Sequence, residues 1–347
     1  MAQRAARIQD VARAAGVSTA TVSRALSNPD LLSDSTRETV FAAIRATGYR
    51  VNQAARNLRK QRAGAILVLV PNLGNPFFSQ ILSGLAEGFA GSAYSVLILD
   101  TANLSGAGHG LAEYFLDARI DGMISLDGAI SKAALQQLTR HDLSDRFVCA
   151  CEWVADAPLP SVRSDNVAGA GMAIRYLHGL GHRRIAHVTG PADNVLTQAR
   201  REGVLAARAE LDLPSRPDWI IRGDFSLTSG REAAGRILAL TGEDRPSAVF
   251  CASDAMAFGL IAALQAAGIR VPQDISVIGF DDIDFAEFYI PALTTIRQDR
   301  PSLGRIAAEM LRERLDNAAV SKTPPDAGEV RLVPVELVVR ESCGAPA

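Results

Sequence analysis

The 347-residue sequence predicts an α/β protein: a small N-terminal helix-turn-helix head, then two doubly wound parallel α/β lobes. Three observations predict it. The first 48 residues carry three short segments of helical apolar period, punctuated by glycine and proline. From Gly64 onward, short apolar strands alternate with helical segments in two series, the pattern of parallel sheets covered by helices. Charge divides at nearly the same place. Residues 1–62 hold 11 Arg and Lys against four acids, whereas the remainder holds 25 basic and 34 acidic residues. A basic head on an acidic body points to a polyanion partner for the head alone.

In the head, Ile8, Val11, Ala12 and Ala15 fall on one face of a short helix, Gly16 follows its end, and Val17 plugs the corner. Ser18 suits the N-cap of a second helix whose Val22, Ala25 and Leu26 point inward, and Asn28-Pro29-Asp30 stops it. Ser33 caps a third, with Val40, Ala43 and Ile44 inward and Gly48 beyond its end. The tight turn between the first two makes this a helix-turn-helix unit. The second helix keeps Thr19, Ala20, Ser23 and Arg24 on one outward face, where none of them improves a core. Such a helix lies in the DNA major groove with its N-terminal residues on base edges. Small residues let it sit deep, a Thr or Ala methyl meets a thymine methyl, and Arg24 can grip guanine O6 and N7. Ser18 and Thr21, beside the positive helix N-terminus, suit phosphate oxygens. A plain three-helix cap remains the alternative at this point.

Next comes the basic stretch YRVNQAARNLRKQRAG, in which Asn52 to Arg59 has the length of about two helical turns. A segment so short and so basic is expected to order only against DNA or a partner. Leu58 either wedges into a minor-groove step or docks on the following domain.

The body strands are AILVLVP, SVLILD, GMISL and RFVCACE in the first series, and RIAHVTG, WIIRGDF, AVFCASD and ISVIGFDD in the second. Helices are expected at 77–91, 109–118, 166–180, 197–211, 228–240 and 255–267. Open α/β sheets bind ligands outside the carboxyl ends of their strands, so the strand ends name a candidate pocket. Asn75, Phe77 and Phe78 follow the first strand, and Asp127 follows GMISL. Asn194 and Arg200 lie in and after the loop closing RIAHVTG, and Phe225 ends WIIRGDF. Ser253 and Asp254 end AVFCASD, and Asp281 ends VIGFDD. A carboxylate that accepts, a guanidinium that donates and flat aromatic walls together suit a ligand with vicinal hydroxyls. Asp254 reads equally well as the cap of the next helix, and Phe78 as core.

Other chemistries find little support. No apolar run approaches the ~18 residues of a membrane span, and the N-terminus lacks the apolar stretch of a signal peptide, so a cytoplasmic protein is expected. Cys149, Cys151, Cys251 and Cys343 form no C-x-x-C pair, and His182 and His187 are wrongly spaced for a shared metal, so neither metal nor disulfide is expected. LSGAGHG is G-x-G-x-G rather than a dinucleotide fingerprint and reads as a loop. No nucleophile elbow, Walker loop or HExxH appears, and neither an enzyme nor a cofactor is expected.

The stretch IQDVARAAGVSTATVSRALSNPDLLSDSTRETVFAAIRATGYRVNQAARNLR resembles the DNA-binding head of the lactose/galactose repressor (LacI/GalR) family almost continuously. The likeness continues through LVLVPNLGNPFFSQILSGL, SDNVAGAGMAIRYLHGLGHRRIAHVTGP, SAVFCASDAMAFGLIAALQAAGIRVPQDISVIGFDDI and PALTTIRQDRPSLGRIAAEML, in order along nearly the whole chain. The resemblance implies a dimeric, ligand-responsive, sequence-specific DNA-binding regulator, a repressor, acting on a palindromic operator. It implies base contacts from Thr19, Ala20 and Arg24, phosphate-side contacts from Ser18, Thr21 and Ser23, and a hinge helix bearing Asn52, Ala55, Leu58 and Arg59. It also implies that the lobes are not sequence halves: head 1–50, hinge 51–62 and effector domain 63–347. Lobe one would take 63–160 plus 291–320, and lobe two 161–290 plus 321–342. GPADNVLTQARREG, RGDFSLTSG and FCASDAMAFG look most like the purine and cytidine repressor branch, where the position of Phe225 lines the ligand site, which favours a nucleoside effector. Two departures keep a pentose or other sugar open. Asn194 and Leu196 replace longer or hydroxylated side chains, and Asp127 is the residue type that sugar-binding members use. A cytoplasmic sugar-binding protein or enzyme with a helical cap is the rival of another class.

Overall fold

A computed structural model of the chain describes residues 6–50, 57, 62–103, 110–320, 326 and 328–346. The chain divides into two compact units, Met1–Gly64 and Ala65–Ala347. Of the expected hinge residues, Asn52, Ala55, Leu58 and Arg59 lie outside the described residues.

The first unit consists of α1 (Ile8–Ala15), α2 (Thr19–Ser27) and α3 (Asp34–Thr47). Its core is small: Val11, Ala12, Val22, Ala25, Val40 and Ala43 are buried, two from each helix. Gly16 ends α1 in the left-handed region (φ 66°), where its missing Cβ lets the chain turn straight into α2. The Ser18 and Ser33 hydroxyls cap α2 and α3, accepting from the backbone N–H of Thr21 (3.0 Å) and Thr36 (3.4 Å).

The second unit holds two six-stranded sheets. Lobe one is built on β1 (Ala65–Val70), β2 (Ser95–Asp100), β3 (Gly122–Ser125), β4 (Phe147–Ala150), β5 (Ser161–Ser164) and β11 (Val330–Val333). Its strand order is β11-β5-β4-β3-β1-β2, and every pairing is parallel. Lobe two is built on β6 (Ile185–Thr189), β7 (Ile220–Arg222), β8 (Ala248–Cys251), β9 (Ser276–Asp281), β10 (Thr294–Gln298) and β12 (Val335–Val338). Its order is β12-β10-β9-β8-β6-β7, parallel throughout except where β12 runs against β10. Covering helices are α4 (Phe77–Gly88), α5 (Leu111–Leu116), α6 (Lys132–Arg140) and α11 (Arg300–Val320) on lobe one. Lobe two carries α7 (Asn166–Gly179), α8 (Val195–Glu210), α9 (Leu227–Ala239) and α10 (Asp254–Ala266). Strands such as AILVLV are buried at every position, as a parallel strand covered on both faces must be.

The chain changes sheets after β5, after β10 and between β11 and β12, rather than near residues 161, 290 and 320. So 161–164 and 330–333 belong to lobe one, and 294–298 to lobe two. The strands responsible, SVRS, TTIRQ and VRLV, are short and each is interrupted by an arginine, with hydroxyl residues besides in SVRS and TTIRQ, so none has an unbroken apolar run to announce it. Buried Thr294 and Thr295 satisfy their hydroxyls locally, on the Arg340 N–H (2.9 Å) and on Asp254 Oδ1 (2.5 Å). Helix α6, absent from the sequence expectation, starts at a Ser131 cap and buries only Leu138.

Candidate DNA-reading face and ligand cleft

Thr19, Ala20, Ser23 and Arg24 are all exposed on α2, while Val22 and Ala25 between them turn into the core. The face is therefore created by burial of its neighbours, with nothing apolar left over. Ser18 Oγ lies 2.9 Å from Thr21 Oγ1 and accepts from the Thr21 N–H, which sets both hydroxyls at the positive end of the helix. The Arg24 side chain has no hydrogen bond or ion pair among the described residues, whereas Arg13 and Arg37 sit against Asp10 and Asp34. An unpartnered guanidinium in water keeps its full hydration and all five donors available to a base edge.

In the second unit, the strand ends of both lobes meet at a cleft of about 720 Å³. A narrower recess, lined by Phe77, Arg200, Ser253 and Asp281, continues beneath it. Asn75, Phe78, Asp127, Asn194 and Phe225 line the wider space. Phe78 is buried beside Phe77 in an edge-to-face pair (5.2 Å). Phe225 stands in the opposite wall with φ 66°, over Gly190, where any Cβ would fall 2.1 Å from the ring. Cys151 (φ 68°) and Asp281 (φ 127°) also hold left-handed backbone at the recess, and such conformations concentrate at sites where structure around them enforces a shape.

Arg200 is the largest fully buried side chain of the body. Its Nε donates to Asn166 Oδ1 (2.9 Å), its Nη1 donates to the Ala252 carbonyl (2.5 Å), and its Nη2 lies 3.7 Å from Asp281 Oδ1. The guanidinium also lies 3.8 Å from the centre of the Phe280 ring. Asp281 Oδ1 accepts from Gln298 Nε2 (2.7 Å). Burial pushes the Asp281 carboxyl up, and Arg200 holds it back.

Asp254, read from the sequence as a ligand contact, is placed elsewhere. It is fully buried, its Oδ1 accepts from Thr295 and its Oδ2 from the Ile283 N–H (2.9 Å), and it lines neither the cleft nor the recess. Burial, and then Asp281, raise its carboxyl to about 8. The cap of α10 is Ser253, whose Oγ accepts from the Met256 N–H (3.3 Å). Asp254 instead pins the start of α10 to β10, which a strand-end rule cannot separate from a contact aimed outward.

Glu152 is the residue sequence reasoning missed. It follows β4, a strand whose end was not read for the pocket, although the same rule pointed there. Its Oε2 accepts from the Gly128 N–H (2.9 Å) and its Oε1 from Asn194 Nδ2 (2.8 Å), so it joins the two lobes across the cleft. Burial raises its carboxyl above the ordinary range. Asn194 is engaged at both ends of its amide, because its Oδ1 also caps α8 through the Leu196 N–H (2.8 Å). Thr101 donates to Asp127, and the Ala129 N–H donates to its other oxygen (2.8 Å). No group of three or more His, Cys, Asp or Glu with metal-binding geometry occurs among the described residues.

Comparison with known proteins agrees with this geometry. Residues 7–52 match the family of bacterial regulatory proteins described as the lacI family, and residues 174–343 match the periplasmic binding protein-like domain. The chain is 37% identical over 341 residues to the HTH-type transcriptional repressor CytR of Escherichia coli (strain K12), covering 98% of this chain and 97% of that one. Its fold is similar to the crystal structure of the lac repressor dimer bound to operator and an anti-inducer (TM-score 0.81, 28% identity, 99% of this chain and all of that one). It is also similar to a LacI family transcriptional regulator from Enterococcus faecium with bound ribose (TM-score 0.70, 29% identity, 81% and 99% covered).

Proposed function

The chain belongs to the lacI family of bacterial regulatory proteins, and on that premise we propose that it is a cytoplasmic, homodimeric transcriptional repressor of a palindromic operator, released or recruited by a nucleoside. Thr19, Ala20 and Arg24 read base edges, and Ser18, Thr21 and Ser23 hold the phosphates. The hinge residues expected from the sequence, Asn52, Ala55, Leu58 and Arg59, lie outside the described residues and are proposed as operator contacts. A bound effector changes the angle between the lobes and, through the dimer, the spacing of the hinges.

The observation that carries the effector reading is the pairing of aromatic walls with a buried Arg200–Asp281 couple at one cleft. A nucleoside has both complements, a flat base for Phe78 and Phe225 and ribose hydroxyls for the charged pair. The cleft volume admits it with room to spare. A free pentose is the second reading, favoured by Asp127 on the lobe-one wall and by the ribose held in the Enterococcus faecium relative. The test is a thermal-shift screen of nucleosides, bases, pentoses and hexoses, followed by footprinting on the protein's own promoter with and without the hit. A nucleoside that stabilises the protein and alters the footprint supports the proposal. A hit retained at full affinity by Asp281→Ala would move the ligand out of this cleft.

A further inference from the structure

The cleft is strongly unbalanced in charge. Asp127 and Glu152 of lobe one and Asp193 and Asp224 of lobe two line its wide part, and among the described residues no Lys, Arg or His does. In the recess beneath, the one basic side chain is Arg200, and Asn166, the Ala252 carbonyl and Asp281 already surround its guanidinium. The other usual holder of a phosphate is an open helix N-terminus. Here α4, α8, α9 and α10 begin at the cleft: Asn75 Oδ1 accepts from the Phe77 N–H at the start of α4 (3.0 Å), and the other three are capped by protein oxygens from Asn194, Ser226 and Ser253. Asp224 accepts from the Ser226 N–H (3.0 Å), and its hydrogen bonds to Ser226 and Ser229 hold its carboxyl below the usual range, so it is charged at neutral pH.

We infer that the cleft is a charge filter, which admits an unphosphorylated metabolite and rejects the phosphate ester of the same compound. The inference rests on the nucleoside-or-pentose reading of this cleft. A phosphomonoester carries between one and two negative charges at neutral pH. Within the cleft it would meet several carboxylates, while the one cation among the described lining residues, Arg200, lies in the recess with its charge already matched by Asp281, and repulsion across a partly dry space is strong enough for about a 100-fold loss of affinity. Hydroxyl and amino donors meet the opposite reception, because every one of these carboxylates accepts. Such a protein reports on the product of phosphomonoester hydrolysis or of uptake, and not on the phosphorylated pool.

Titration calorimetry on the full chain tests this with matched pairs. The pairs are the common ribonucleosides with their 5′-monophosphates, and ribose with ribose 5-phosphate. A 5′-O-methyl nucleoside serves as the uncharged control for bulk. The phosphate is expected to bind about 100-fold more weakly than its parent, the methyl ether within about tenfold, and added salt to narrow the phosphate gap. Asp193 and Asp224 are exposed, and the Asp193→Asn/Asp224→Asn variant should narrow the same gap without loss of fold. A monophosphate that binds as tightly as its nucleoside overturns the filter. So does equal rejection of the methyl ether, which would make the barrier steric, or a gap indifferent to both salt and the double variant. If ribose binds and no nucleoside does, the nucleoside reading fails, and the ribose pair alone decides the filter.

Discussion

The reading face of the head and the floor of the cleft are opposite solutions to recognition. On α2 the functional side chains stand in water, and Arg24 touches no partner among the described residues. In the cleft, Arg200, Asp281, Asn194 and Glu152 are each held by hydrogen bonds or charge before any ligand arrives. A DNA groove supplies its own rigid shape and charge, so the protein needs only a rigid helix with free ends. A small ligand brings little order of its own, so the protein must build the shape beforehand. The two regions should therefore fail differently. Substitutions at the buried floor of the cleft damage stability as well as binding, whereas substitutions of Thr19, Ala20, Ser23 or Arg24 damage binding alone.

The largest effect should come from Arg200→Ala. Removing a fully buried guanidinium takes from Asp281 its ion-pair partner and from Asn166 its donor, a loss of about 3–5 kcal/mol. Thermal unfolding should show the second unit melting several degrees lower, together with loss of ligand binding. A variant that melts like the parent while losing the ligand would show that Arg200 serves the ligand only, and the contrast with the head would collapse.

Acid should act next, and through lobe two. His187 is buried against Phe250 (4.9 Å between ring centres), its Nε2 has no partner among the described residues, and burial followed by Arg208 pushes its value down to about 3. The unfolded chain takes up a proton near pH 6.5 that the folded chain refuses until about 3, so stability is complete above pH 6.5 and falls as pH drops through that window. Asp254 and Asp281, raised in the fold, act in the opposite sense between the ordinary carboxylate value and their own. Comparing His187→Phe with the parent by denaturant titration cancels them. The variant should gain about 2 kcal/mol on the parent between pH 7 and pH 5. A pH-independent difference would mean that His187 takes up its proton as readily in the fold as in the unfolded chain.

Arg24→Ala should weaken specific DNA binding by about 1–3 kcal/mol and relax preference at one base pair. Ligand affinity and melting temperature should stay unchanged. Uniform weakening on every sequence would make Arg24 a phosphate contact instead.

The same contrast explains how much was legible in the sequence. The head is local: within each helix the apolar positions, the cap and the stop follow one another closely along the chain, so periodicity and capping were enough to place α1, α2 and α3 with their buried and exposed positions. The cleft is assembled from loops far apart in the chain. The strand-end rule found the neighbourhood, because strand ends carry the loops wherever the sheet lies. It could not tell that Asp254 turns back to Thr295, 41 residues away, while Asp281 faces the recess. Nor could it see that Glu152 meets Asn194. The short strands SVRS and VRLV were missed for a related reason: their place depends on the partner strand and not on their own apolar content.

The smallest prediction separates two duties that fall on one hydroxyl. Ser18 caps α2 and also stands where a phosphate would approach. Ser18→Ala removes the acceptor for the Thr21 N–H and should lower the stability of the head by about 1 kcal/mol. DNA binding should fall with it, which by itself does not say which duty was lost. Ser18→Asp resolves the ambiguity, because aspartate caps a helix as well as serine does and favours the positive helix end. The head should then melt as the parent does, yet bind DNA more weakly at all sequences, since a carboxylate faces the backbone phosphates. A fluorescence-anisotropy titration alongside a melt reads both. Should Ser18→Asp recover DNA affinity together with stability, Ser18 would be a cap and nothing more, and the phosphate clamp would rest on Thr21 and Ser23.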